Sequence, residues 1–263
     1  MNDQDKSLPC IIPAAGRSSR MGRAKQLLPF EGSTVLDRIL DKVVEAGFTP
    51  VLVVGGPHKG ALRKAFSGRG ISIVTNPAPE PGGTITSIRC GLEALGTDLE
   101  SRDVEERSWQ LRDRMEPCQT PTSDPLSPAA TRVPGFLLHP SDFPAVSAET
   151  YTLLLDAIHA SPGSIIVPIS WVATGQGEHR RDDESADGVG LRRRAHHGVQ
   201  KRGHPVWFPS TLLHAFMGPL PGGARELLRI YSDLVWEIPV EDPGVLLNVD
   251  TPANYAQLSR FES

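Results

Sequence analysis

Short apolar runs alternate with stretches of helical periodicity along most of this chain, and that alternation limits its fold more than any other feature. Cys10-Ile11-Ile12 opens the series as a strand. Ser33 or Thr34 can cap the helix that follows, where Val35, Leu36, Ile39, Leu40, Val43 and Val44 recur at helical spacing. Gly47 stands where a helix C-terminus would put it. Val51-Leu52-Val53-Val54 is a β-branched run, followed by a short helix near 59–66, a strand at 71–74 and a helix through Ile88 to Leu95. Further strands are predicted at 135–138, 165–167, 206–208, 234–238 and 245–249, with helices at 148–158, near 225–231 and from Pro252, capped by Thr251. Strands alternating with helices in this way predict an α/β fold, a mostly parallel sheet with helices on both faces.

Two stretches break the alternation. Residues 98–132 are charged and then rich in proline (Pro117, Pro121, Pro125 and Pro128), a composition that buries too little apolar surface to order itself. They read as an insertion, helical around Val104–Arg114 and irregular after it. Residues 174–201 hold Gly, Asp, Arg and His and read as a second flexible loop. The 263 residues are therefore expected to form one domain, 1–263, with flexible insertions at 98–132 and 174–201. Cys10, Cys90 and Cys118 make no C-x-x-C pair and no metal spacing, which fits a reducing cytoplasm. No apolar run is long enough to span a membrane, and Met1–Leu8 carries no signal-type apolar region, so a cytoplasmic location with no membrane partner is expected. With 27 Lys+Arg against 31 Asp+Glu and a net charge of −4, a nucleic-acid partner is not expected either.

The residues that could carry chemistry cluster after strands. Pro13-Ala14-Ala15-Gly16-Arg17-Ser18-Ser19-Arg20-Met21-Gly22-Arg23-Ala24-Lys25 is a Gly-rich strand-to-helix loop, whose backbone N–H groups can cradle phosphate. Ser18 adds a hydroxyl, Arg20 a two-pronged donor and Lys25 a point charge. Neither G-x-G-x-x-G nor G-x-x-x-x-G-K-[ST] is present. The competing reading is a surface turn with solvated arginines. Asp142 and Asp250 each follow a strand, on the side where α/β sheets bind ligands, and together could share Mg2+. Each could equally be a turn or cap residue. His204, before the strand at 206, could touch substrate or serve the turn. His196, His197 and Arg192–Arg194 read as solvated loop residues. No Ser-His-Asp or Cys-His arrangement is evident.

The segment C-I-I-P-A-A-G-R-S-S-R-M-G-R-A-K-Q-L-L-P, Cys10 to Pro29, resembles the signature of the molybdenum cofactor nucleotidyltransferases, the MobA-like NTP transferase domains, and more closely their cytidylyltransferase branch. The resemblance continues through Thr34-Val35-Leu36-Asp37, Asn76-Pro77, Gly82-Gly83, Thr86 to Leu92, Ser141-Asp142-Phe143-Pro144, Gly203-His204-Pro205-Val206 and Asn248-Val249-Asp250-Thr251-Pro252. It implies a single Rossmann-like, three-layer, GT-A-like nucleotidyltransferase domain that transfers a nucleoside monophosphate to the terminal phosphate of a molybdopterin-type cofactor and releases pyrophosphate. By that likeness Ala14, Ala15, Gly16, Ser18, Arg20, Lys25 and Ser87 would bind the nucleotide. Arg20 and Lys25 would neutralise the triphosphate, Asp142 and Asp250 would hold Mg2+ (or Mn2+), and His204 would face the acceptor. Ala14-Ala15-Gly16 resembles the CTP-using branch, with GTP the second choice and a sugar-phosphate acceptor or a non-catalytic chaperone of a molybdoenzyme as alternatives. Pro13 departs from the Leu or Thr common in the family and removes one backbone donor. His139-Pro140-Ser141-Asp142 departs from the usual Gly-Asp or Cys-Asp pair.

Overall fold

The computed structural model describes residues 7–16, 24–56, 59–66, 68–79, 83–96, 133–173 and 198–258. The predicted helix at Val104–Arg114 lies outside them, as do Ser18 and Arg20. Strand β1, Cys10–Ala14, lies in the interior of the sheet. It pairs parallel with β4, Val51–Gly55, on one side and with β6, Gly135–Leu138, on the other. A small hairpin, β2 (Pro29–Phe30) with β3 (Ser33–Thr34), sits apart from the main sheet. Strand β5, Ser72–Thr75, extends the sheet beyond β4. Strands β7 (Ile165–Ala173), β8 (Gly198–Arg202), β9 (Val206–Pro209) and β10 (Val235–Pro239) complete it. The order is β10-β7-β9-β6-β1-β4-β5, with β8 paired to β7. The β1, β4, β5 and β6 contacts are parallel, as is β10 on β7, whereas β9 runs antiparallel to both β6 and β7.

Side chains along β1 alternate between two cores, as a strand with helices on both faces requires. Cys10, Ile12 and Ala14 face helices α1 (Val35–Glu45), α2 (Lys59–Phe66), α4 (Ala148–Ala160) and α7 (Pro252–Leu258). Ile11 faces α3 (Gly83–Gly96), α5 (Leu213–Met217) and α6 (Ala224–Ile230). In α1 the apolar positions read from the sequence, Val35, Leu36, Ile39, Leu40 and Val43, are the buried ones. Thr34 is its cap, accepting from the Asp37 N–H at 3.2 Å, and Gly47 follows the helix at φ 92°. Helix α3 reaches β1 through Gly91, where an added Cβ would lie 2.8 Å from Ile11 Cγ2.

Two elements differ from the sequence reading. Residues 198–202, read mostly as loop, form β8 against the outer half of β7. Its residues are nearly all exposed, so pairing rather than burial makes it a strand. Residues 245–249, read as a strand, instead begin inside a 3-10 turn at Pro243–Leu246, whose start is fixed by Asp242 Oδ1 accepting from the Gly244 N–H at 2.8 Å. Val245 and Val249 are fully buried, so the apolar run fills the core without joining the sheet.

Replacing Gly91 by leucine should lower stability by about 1–3 kcal/mol, because Ile11 has no room to retreat. A urea midpoint equal to that of the unsubstituted protein would show that α3 and β1 are not packed this closely.

Candidate active site

The chain runs from β1 outward to β4 and β5, then returns to β6 on the opposite side of β1. This reversal between β1 and β6 is where open α/β sheets leave a crevice at their carboxyl ends. The crevice here has a specific cause. Cys10 donates to Pro50 O on the β4 side, whereas Ile11 O accepts from His139 N–H on the β6 side. The next residue facing β6 is Pro13, which has no N–H, so the ladder stops at the pair Ile11–Leu138. The missing donor of Pro13 thus ends the β1–β6 ladder at this point. Ala14 and Ala15 are buried at the lip, while Gly16 is exposed with open space beside its Cα.

Three charged side chains meet at this opening. Lys25 begins the 3-10 turn Lys25–Leu27, and its Nζ donates to Asp142 Oδ2 at 2.7 Å and to Asp250 Oδ1 at 2.9 Å. The Lys25 and Asp142 side chains are only 16% and 12% exposed, and Asp250 is 42% exposed. Burial disfavours the Lys25 ammonium, but the charges and hydrogen bonds of Asp142 and Asp250 outweigh it and raise its pKa. Burial, reinforced by the neighbouring Asp250, pushes the Asp142 carboxyl up against the opposing pull of Lys25. Among the described residues, no third His, Cys, Asp or Glu joins the pair to make a three-ligand metal cluster.

The loops behind these groups are held mostly by residues to which the sequence reading gave no such role. Asp142 O accepts from the Val249 N–H at 2.8 Å, which ties one aspartate loop to the other. Asn248 Nδ2 reaches Asp250 Oδ2 at 3.3 Å and is itself fixed by Asn254 Nδ2 at 2.7 Å. Thr251 Oγ1 accepts from the Asn254 N–H, the predicted cap. Buried Gln26 spans from Ala14 O to Ser141 Oγ at 3.4 and 3.3 Å. Beyond Asp142, Lys42 Nζ donates to Pro144 O and Val146 O, and Asp242 accepts from Ser147 N–H and Thr150 Oγ1. Gly244 lies so close to the Ala145 carbonyl that a Cβ has no room there.

Residues 10–235 match the family model of the MobA-like NTP transferase domain. The chain belongs to that family. A 92-residue segment is 33% identical to the molybdenum cofactor cytidylyltransferase of Escherichia coli (strain K12), covering 35% of this chain and 47% of that protein. A 92-residue match to the bifunctional protein GlmU of Pelobacter propionicus is 35% identical and covers 34% of this chain and 20% of that protein. The chain thus spans less than half the length of these curated relatives. The solved structure of Rv0371c from Mycobacterium tuberculosis H37Rv superposes with a TM-score of 0.61 at 24% identity, over 97% of this chain and 98% of that one. Its complex with manganese gives 0.59 at 22% identity, over 96% and 98%. The single-domain, mostly parallel nucleotidyltransferase architecture is therefore shared across nearly the full length.

Of the family positions, Lys25, Asp142 and Asp250 come together, with Ala14, Ala15 and Gly16 at the adjoining β1 end. Ser87 is buried in α3, its hydroxyl accepting from Asn76 Nδ2 at 3.0 Å, which ties it to the end of β5. His204 lies edge-on to Phe143 with ring centroids 4.9 Å apart, next to Asp142 in sequence. Its backbone N–H donates to Val245 O, and among the described residues its buried Nδ1 has no partner. His139 is fully buried, its Nδ1 on Pro140 O and its Nε2 2.7 Å from the Tyr151 hydroxyl. Burial keeps the ring neutral, so with Nδ1–H on the Pro140 carbonyl, Nε2 accepts from the Tyr151 hydroxyl. Among the described residues, no helix is long and apolar enough to cross a membrane.

Burial lowers the His139 pKa to about 3 and the His204 pKa to about 4 from the ordinary value of 6.5. An unfolded chain would take up these protons near pH 6.5, and the folded protein only well below it. Stability from this source is complete above the unfolded pKa and falls as the pH drops below it, by about 1.4 kcal/mol per pH unit for each histidine. Denaturation midpoints compared at about pH 7 and about pH 5 should drop less for His139→Gln than for the unsubstituted protein. Equal drops would show that His139 is not buried neutral.

Proposed function

We propose that this nucleotidyltransferase domain moves CMP from CTP to the terminal phosphate of a molybdopterin-type molybdenum cofactor. The observation that carries this reading is the Asp142–Lys25–Asp250 cluster at the opening between β1 and β6, beside the exposed Gly16. An oxygen of the acceptor phosphate forms a bond to the α-phosphorus, and the bond to the β-phosphate oxygen breaks, releasing pyrophosphate. Both partners are anionic, so the protein's task is to neutralise charge and hold the attack in line. That task needs no protein nucleophile.

The residues present fit a divalent cation. Two carboxylates are hard oxygen donors suited to Mg2+, and their oxygens already accept one cation, the Lys25 ammonium. Asp142 and Asp250 would hold the ion, which would supply charge stabilisation at the reacting phosphates. The manganese complex of Rv0371c supports Mn2+ as a substitute. Lys25 binds the triphosphate, and Ala14, Ala15 and Gly16 seat the nucleotide, with Ser18, Arg20 and Ser87 assigned to it by family likeness. His204 and Phe143 border the acceptor side. The E. coli cytidylyltransferase match supports CTP and the molybdenum cofactor over GTP, and the match to GlmU keeps a sugar-phosphate acceptor as the second reading.

The direct assay is pyrophosphate release with CTP, GTP or ATP, each with Mg2+ and molybdopterin cofactor. CTP should react fastest, and Asp142→Asn and Asp250→Asn should stop turnover in folded protein. Lys25→Ala should lower kcat/KM by about a hundredfold, as when a transition-state electrostatic contact is lost. Full activity in either Asn variant would overturn the metal assignment, and faster release with a sugar phosphate would replace the acceptor.

A further inference from the structure

Lys25 and a divalent ion compete for the same two oxygens. Nζ lies 2.7 Å from Asp142 Oδ2 and 2.9 Å from Asp250 Oδ1. A Mg2+ ion would approach such oxygens to about 2.0–2.1 Å and so occupy the space the ammonium fills. Water cannot screen two cations there, because Lys25 and Asp142 are both largely buried. Asp250 is the more exposed carboxylate and marks the open side. The backbone around Lys25 is fixed, since Gln26 is anchored to Ala14 and Ser141. The four-carbon stem of Lys25 is flexible enough to carry the charge elsewhere. The proposed seat of the phosphates is the Ala15–Gly16 end of β1, where Gly16 is exposed.

We infer that Lys25 closes the cation seat in the nucleotide-free protein, so that the divalent ion enters only with a nucleoside triphosphate, whose phosphates take Lys25 away from Asp142 and Asp250. This inference rests on the reading of Asp142 and Asp250 as the metal-holding pair. It makes the metal and nucleotide sites interdependent, since each ligand is admitted better when the other is present. It also explains how two neighbouring carboxylates, one nearly buried, remain stable together before any metal arrives. Lys25 supplies the missing positive charge.

The test is Mn2+ binding to the full chain without nucleotide, read from the electron paramagnetic resonance signal of free aquo-Mn2+. Lys25→Met keeps the length of the stem and removes the charge, and Lys25→Gln is a second variant should the first fail to fold. Either folded variant should bind Mn2+ at least about tenfold tighter than the unsubstituted protein. Adding a non-hydrolysable CTP analogue should tighten Mn2+ binding to the unsubstituted protein far more than to the variant. Adding Asp142→Asn to Lys25→Met should erase the gain. Equal or weaker Mn2+ binding in the Lys25 variants would overturn the inference, as would a gain that survives Asp142→Asn. Absence of pyrophosphate release with every nucleotide would defeat the transfer reading alone, because the Mn2+ measurement involves no turnover.

Discussion

One ammonium group shared by two carboxylates organises the working end of this molecule. Lys25 meets Asp142 and Asp250 across sequence separations of 117 and 225 residues. Burying Asp142 without a partner would leave an uncompensated charge at a cost of several kcal/mol. Lys25 supplies that partner at 2.7 Å. The Val249 N–H bond to Asp142 O fastens the two aspartate loops directly. Lys42 and Asp242 then fix the chain beyond Asp142 from opposite ends, one by gathering carbonyls and the other by gathering donors.

The sheet prepares the place where this occurs. Pro13 ends the β1–β6 ladder by lacking an N–H, at the point where the chain reverses its direction across the sheet. The buried His139, neutral and bonded to Tyr151, fills the first position after the ladder ends and carries the chain toward Ser141 and Asp142.

Much of this was readable in the sequence wherever local chemistry determines the outcome. The α1 stripe from Val35 to Val43, the Thr34 and Thr251 caps, and the strands at Cys10, Val51 and Phe136 all follow from periodicity or capping. The motif around Lys25 and the two aspartates pointed to an anion and a cation site. What was hidden depends on distant partners. Strand β8 is exposed and exists only because β7 lies beside it. The 245–249 run is apolar enough for a strand, but Asp242 turns it into a 3-10 bend. Gln26, Lys42, Asn248 and Asn254 have no local pattern marking them as supports, since each acts on a backbone or side chain brought close by folding. Nor does spacing reveal that Lys25 would lie between the aspartates rather than beside the phosphate loop alone.

On the inference above, Asp142 and Asp250 form a single cation seat that Lys25 occupies until nucleotide and metal arrive. Anomalous diffraction from crystals grown with Mn2+ and a non-hydrolysable CTP analogue tests it most directly. The account predicts one manganese peak within bonding distance of both carboxylates, with Lys25 Nζ moved onto the phosphates. A manganese peak elsewhere, or Lys25 still bridging Asp142 and Asp250 with nucleotide bound, would contradict it.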